Sequence, residues 1–176
     1  SYIDGLLISA CVSKNIRFLV YGGFFNIKAF SWLFQKLKII PVRSGRDLTK
    51  SIERARSGLL KNEIVGIFAE GELTRTGNML PFKRGFEKIM EDLPKDIPIV
   101  PIYLDGLWWS IFSFEKGKFF FKMPSWRKLD ITVCFGKHLP AQTKSWELRQ
   151  AIAELSTKAA LGRRKNDIPL GMQLIQ

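Results

Sequence analysis

The apolar run Ile64-Val65-Gly66-Ile67-Phe68, leading straight into Ala69-Glu70-Gly71-Glu72-Leu73-Thr74-Arg75-Thr76-Gly77, constrains this chain most. A short unbroken apolar run is the pattern of a buried strand. The turn after it carries carboxylates, glycines, threonines and an arginine. Proteins of the α/β class present polar chemistry in this way, on a loop at the carboxyl end of a rigid strand. Arg75 offers a planar donor fork for phosphate or carboxylate, and glycine lets backbone amides approach an anion closely. The stretch reads as an anion-binding loop; an ordinary polar strand-to-helix turn has the same local composition.

The chain of 176 residues has room for one domain with a substantial core, and its 46% apolar content argues against disorder. Lysine and arginine number 28 against 16 acidic residues, a net charge of +12. That balance favours anionic partners: nucleic acid, a phospholipid surface or phosphorylated metabolites. Cys11 and Cys134, the two cysteines, lie in apolar segments and read as reduced packing residues of a cytosol-facing domain. No apolar run reaches the ~18 residues of a membrane-spanning helix. The chain opens on Ser1 without a signal-peptide pattern, so it is expected to be a piece of something longer.

Strand and helix patterns alternate, which points to an α/β sandwich with a largely parallel sheet. Helices are expected over 4–13, 26–37, 47–60, 83–93 and 145–161, and strands over 16–21, 39–42, 64–68, 99–104, 119–122 and 129–135. In the 47–60 helix Leu48, Ile52, Ala55 and Leu59 share one face, while Arg46, Lys50, Arg54 and Arg56 form a solvated basic side. Residues 1–161 read as the domain, and 162–176 as a frayed basic tail or linker.

In order and spacing, these pieces resemble the four sequence blocks of the glycerolipid acyltransferase family, of the lysophosphatidic-acid-acyltransferase (PlsC-like) type. The third block, usually Phe-Pro-Glu-Gly-Thr-Arg, is similar to Phe68-Ala69-Glu70-Gly71 followed by Glu72, Leu73, Thr74 and Arg75. The fourth, an apolar-Pro-apolar strand ending in glycine, is similar to Val100-Pro101-Ile102 through Gly106. The second resembles Ile39-Ile40-Pro41-Val42-Arg43. The first block is His, four residues, then Asp; Ser1-Tyr2-Ile3-Asp4 fits its second half, which places the His two residues before Ser1. In this chain Ala69 replaces the usual Pro, and Tyr21 stands where a lysine is common. Val20-Tyr21 and the extended Thr74-Arg75-Thr76-Gly77 loop look more like the acyltransferase domain of bacterial 2-acylglycerophosphoethanolamine acyltransferase/acyl-ACP synthetase fusions. In such fusions it sits between a transporter-like membrane part and an acyl-activating ligase.

The resemblance implies a glycerol-3-phosphate-acyltransferase-like sandwich, with a mixed, mostly parallel sheet flanked by helices. It implies transfer of a fatty acyl group from acyl-ACP or acyl-CoA to the free hydroxyl of a lysophospholipid, with neither metal nor cofactor. The family's His is the general base, and Asp4 would orient it; read without the family, Asp4 is a first-turn carboxylate. Without that His the piece is expected to be inactive. Arg43 and Arg75 are the candidates for the acceptor phosphate, with surface ion pairs as the alternative. Glu70 would bond a head-group hydroxyl or fix the loop through an arginine, and amides around Gly71 would receive phosphate. Ser1, Tyr21, Glu72 and Thr74 complete the substrate-binding set.

Aromatics interleaved with cations over 107–128 (Trp108, Trp109, Phe112, Phe114, Lys116, Lys118, 119–121, Lys122, Trp126) suit a bilayer interface, at the cytoplasmic face of a membrane. Phe24, Phe25, Phe30, Trp32 and Phe34 would add to it or line an acyl groove; an aromatic core is the alternative. A nucleic-acid module is disfavoured, because the element order is wrong for an RNA-recognition sheet. A non-catalytic membrane-docking relative remains the rival. His138, flanked by Gly136 and Pro140, reads as a solvated loop histidine.

Overall fold

The structure, a computed structural model, describes residues 3–21, 38–42, 46–108 and 130–167, at positions 21, 46 and 163–167 for the backbone only. Its elements are α1 (Asp4–Ala10), β1 (Ile16–Tyr21), β2 (Ile40–Val42), α2 (Arg46–Leu60), β3 (Ile64–Ile67), α3 (Gly85–Met90), β4 (Ile102–Asp105), β5 (Thr132–Phe135) and α4 (Ser145–Asp167). Strands β2, β1 and β3 form a parallel sheet in that order, with Leu19 opposite Ile40 and Phe18 opposite Gly66. Strands β4 and β5 pair antiparallel, Tyr103 opposite Cys134.

The alternation along β1 sorts the core into two layers, since successive strand side chains point to opposite faces. Leu19 joins Ile40, Ala55, Ile89 and Leu93, so α2 and α3 cover that face. Ile16 and Phe18 join Ile8 of α1, with Ile102 and Leu104 of β4 and Val133 of β5 packed against them. The fold is therefore the expected one, a largely parallel sheet between layers. Helix α4 packs on β4 and β5, burying Leu148, Leu155 and Ala159. Glu87 of α3 ties this helix down: its carboxylate accepts the Ser145 amide at 2.8 Å and the Ser145 hydroxyl. Those bonds, the hydroxyl's first, hold Glu87 below the usual carboxylate range.

Several expectations need correction. Cys11 is exposed rather than packed, because α1 stops at Ala10 and leaves it at the helix end. Leu48, at the start of α2, is 37% exposed and lies outside the buried stripe. Arg56 is not part of a solvated face. Its guanidinium reaches the carboxyl end of α3, donating to the carbonyls of Ile89 (3.1 Å) and Lys88 (2.5 Å) and pairing with Asp92 at 2.5 Å. The last helix runs on through Gly162 to Asp167 instead of ending at Leu161. The segments 26–37 and 119–122 lie outside the described residues.

Candidate active site

In a parallel sheet the carboxyl ends of all strands share one edge, where chemistry is usually presented. Here that edge is marked by Tyr21, Val42 and Ile67, paired through β1. Ser1, Arg43 and the side chain of Tyr21 lie outside the described residues, as do Trp109, Phe24, Phe25, Phe30, Trp32 and Phe34.

The loop leaving β3 is closed on itself. The Gly71 amide donates to the Phe68 carbonyl at 2.9 Å, and the Lys83 amide to the Ala69 carbonyl at 2.8 Å, so the two ends of the loop meet. Gly71 takes φ +68°, a conformation that favours glycine. Inside the loop, Glu70 Oε2 accepts the Leu80 amide at 2.7 Å. Glu70 does fix the loop, but through a backbone amide and not through an arginine. The Gly71 amide is committed to Phe68, so it does not face a phosphate as expected.

Thr74 and Thr76 are also turned inward on the loop. The Thr74 hydroxyl accepts the Thr76 amide at 3.3 Å, and the Thr76 hydroxyl accepts the Asn78 amide at 3.4 Å. Arg75, between them, is exposed. At Gly77, with φ +80°, an added Cβ would lie 2.9 Å from the Trp108 indole, so this ring covers the far side of the loop.

Asp4 and Glu70, distant in sequence, come together here. Burial raises the Glu70 carboxyl above its ordinary range; the Leu80 amide opposes this, and the Asp4 charge adds to the rise. Aromatic packing explains the meeting. A Cβ on Gly5 would touch the Phe18 ring at 3.4 Å, and one on Gly66 would run into it at 2.6 Å. The Phe18 ring in turn stacks on Phe68, with centroids 5.6 Å apart. Two glycines thus let one ring carry the start of α1 up against the loop.

Two cations escaped the sequence reading. Lys83 lays its stem over Gly71, where an added Cβ would be 2.7 Å from its Cδ, and its ammonium pairs with Glu72 Oε1 at 3.3 Å. Its place just after the loop, in Pro81-Phe82-Lys83-Arg84, was the signal available. Arg149 of α4 reaches the Met79 carbonyl at 3.5 Å and lowers the Glu70 carboxyl slightly against the burial effect. Nothing in its local sequence marks it.

The fourth block is structural. Pro101 is buried and its carbonyl accepts the Gly136 amide at 2.8 Å. Gly106 has φ +86°, and a Cβ there would sit 2.1 Å from the Asp130 carbonyl oxygen. His138 is exposed, as expected of a loop histidine. Among the described residues, no group of three or more His, Cys, Asp or Glu is placed to hold a metal ion. None of their helices is long and apolar enough to cross a membrane. A cleft of about 230 Å³ at the amino-terminal edge of the sheet is lined by Lys14, Arg17, Lys38 and Glu63, and an Arg17–Glu63 ion pair of 2.6 Å spans it.

The family model for Acyltransferase matches residues 1–105, from the turn that carries Asp4 to the end of β4. The chain belongs to the acyltransferase family. It is 46% identical over 54 residues to a 1-acyl-sn-glycerol-3-phosphate acyltransferase of Cocos nucifera, covering 31% of this chain and 17% of that protein. It is 31% identical over 101 residues to the human 1-acyl-sn-glycerol-3-phosphate acyltransferase alpha, covering 57% of this chain and 34% of that one. The matched stretch therefore spans 17% to 34% of the length of these curated relatives. The crystal structure of the 1-acyl-sn-glycerophosphate (LPA) acyltransferase PlsC from Thermotoga maritima superposes with a TM-score of 0.57 at 19% identity, covering 96% of this chain and 64% of that one. The acyltransferase fold is thus shared over nearly the whole chain.

Proposed function

We propose that this chain is the acyltransferase domain of an enzyme that moves a fatty acyl group from an acyl thioester to the free hydroxyl of a lysophospholipid. The observation that supports it most is the proximity of the first and third blocks: the Asp4 charge raises the Glu70 carboxyl, and Phe18, whose ring lies beside Gly5, stacks on Phe68 at the start of the loop. A general base and a substrate-binding loop must lie close together for such a transfer, and the influence of the Asp4 charge on Glu70 supports that arrangement.

In the proposed reaction an imidazole held by Asp4 takes the proton of the acceptor hydroxyl. The oxygen attacks the thioester carbonyl; the C–S bond breaks, and the departing thiolate recovers the proton. No covalent enzyme intermediate is required. The family pattern places that imidazole two residues before Ser1. Arg43 is proposed to hold the acceptor phosphate, and Tyr21 and Ser1 to border it. The donor is acyl-ACP or acyl-CoA, and the domain belongs to a larger protein at the cytoplasmic face of a membrane. The Val20-Tyr21 pair and the Thr74–Gly77 loop favour a fusion of the 2-acylglycerophosphoethanolamine acyltransferase/acyl-ACP synthetase kind.

The test compares residues 1–176 with the same chain extended upstream by a dozen native residues. Both are assayed with acyl-ACP and acyl-CoA on lysophosphatidic acid and lysophosphatidylethanolamine. Only the extended form is expected to transfer acyl groups. Equal turnover by both forms would remove the upstream base from the mechanism, and turnover by neither would remove the proposed activity.

A further inference from the structure

We propose that Lys83 is the loop cation that takes the acceptor's phosphate, and that Glu72 holds its ammonium in place until the phosphate displaces it. This rests on the reading of the site as a lysophospholipid acceptor site.

Several of the loop's amides are already committed. Those of Gly71, Thr76, Asn78, Leu80 and Lys83 are each spent on a partner within the loop. With these five amides committed, the side-chain cations are the strongest donors the loop offers an entering anion. Arg75, Lys83 and Arg84 are the three cations of the loop and its exit. Arg84 pairs with Glu87 at 3.2 Å, on the side facing α4. Arg75 sits on the exposed stretch between the two threonine turns. Lys83 stands at the neck, with its stem across Gly71, the residue directly after Glu70. It is thus the one of these three cations whose stem touches the residue next to Glu70.

Its partner makes the ammonium exchangeable. The Lys83 and Glu72 side chains are 60% and 64% exposed, and an ion pair in that much water contributes little. A phosphomonoester carries about −1.5 to −2 charges at neutral pH against one for a carboxylate, so it competes well for the same cation. Glycine at position 71 leaves room for the stem: a Cβ there would lie 2.7 Å from the Lys83 Cδ, so the lysine would have to shift.

The experiment uses the protein with its native upstream residues and measures initial rates against acceptor concentration. One arm uses lysophosphatidic acid, a phosphomonoester, and the other lysophosphatidylethanolamine, a diester. Lys83→Ala is expected to raise the acceptor KM about tenfold while kcat changes little, the pattern of lost uniform binding. Lys83→Arg should recover most of the loss. Glu72→Gln should lower KM, because it removes the competitor and leaves the cation. If the ion pair were only a structural clip, Glu72→Gln would raise KM as Lys83→Ala does, and the proposal would fall. A larger KM increase for Arg75→Ala than for Lys83→Ala would also overturn it. A larger Lys83 effect in the monoester arm identifies the dianion as the preferred ligand, and equal effects identify the phosphate group shared by both.

A second measurement stands apart from turnover. Short-chain lysophosphatidic acid, below its micelle concentration, is titrated calorimetrically into wild type and Lys83→Ala. Weaker binding by the variant supports the proposal even where no acyl transfer occurs; equal binding, or none by wild type, overturns it.

Discussion

The Phe18 ring lies 5.6 Å from the Phe68 ring, inclined by 17°, and occupies the space a side chain on Gly66 would need. This contact lies between the sheet and the start of α1. Gly66→Ala places a methyl group 2.6 Å from the ring, so ring or strand must shift. Overpacking of this kind costs roughly 1–3 kcal/mol. Phe18→Ala instead leaves a cavity under α1 and costs roughly 3–5 kcal/mol. Urea denaturation measures both, and a midpoint unchanged in Gly66→Ala would mean that the ring has room to move.

Glu70 carries a pH signature of the site. Burial raises its carboxyl above the ordinary 4.5, so the folded state prefers it protonated. Its contribution to stability is fully present below the unfolded value and is lost as pH rises through the folded one. Glu70→Gln keeps an oxygen for the Leu80 amide and removes that charge, so it should raise Tm at pH 7 and leave Tm nearly unchanged near pH 3.5. Asp4→Asn should bring the Glu70 titration down, because a like charge is removed. Carbon-detected NMR of the Glu70 carboxyl checks this, and an unmoved titration would separate the two residues.

Arg56 supplies what the carboxyl end of α3 lacks. Helix ends leave carbonyls without partners, and this guanidinium meets two of them and Asp92 besides. Arg56→Ala should cost about 1–2 kcal/mol, the worth of lost charge-assisted bonds at a helix carboxyl end. Arg56→Lys should recover only part, since a single ammonium does not reproduce the planar fork. Chemical denaturation of the pair decides; full recovery by lysine would reduce the contact to simple charge.

The aromatic segment after β4 is expected to meet lipid. Trp108→Ser and Trp109→Ser together should lower co-sedimentation with vesicles containing phosphatidylglycerol, and high salt should not abolish what remains. Trp108 also leans on Gly77, so the single Trp108→Ser variant should loosen the loop and increase its amide exchange around that glycine. Unchanged vesicle binding in the double variant would make both residues packing groups.

How much of this was legible beforehand depended on the range of the interactions. Strands β1 and β3 and the body of α2 follow from local apolar patterns, and each lies within a residue of its expected bounds. The acyltransferase family was likewise readable, because the blocks are short, ordered and local. The fate of Cys11 was not, since the apolar pattern runs on past Ala10, where α1 ends and leaves Cys11 as an exposed cap. Arg56 looked solvated on its own helix; the carbonyls it meets belong to residues 88 and 89. Gly162 and the basic run after it looked like a break, yet a helix-interior glycine costs only about 1 kcal/mol, and α4 continues past it. Within the site, Glu70 was named for its chemistry, but its Leu80 bond, the Lys83–Glu72 pair and Arg149 appear only once the loop closes.

The contact between Gly106 and the carbonyl of Asp130 gives the fold a built-in marker. Two stretches of main chain touch there with no space for even one methyl group, so the route by which the polypeptide comes back into β5 is recorded in a single position. A homologue bearing a bulkier residue at that place must bring its returning segment in along another path. Inspecting this one column of an alignment would separate chains that preserve the crossing from those that have rebuilt it.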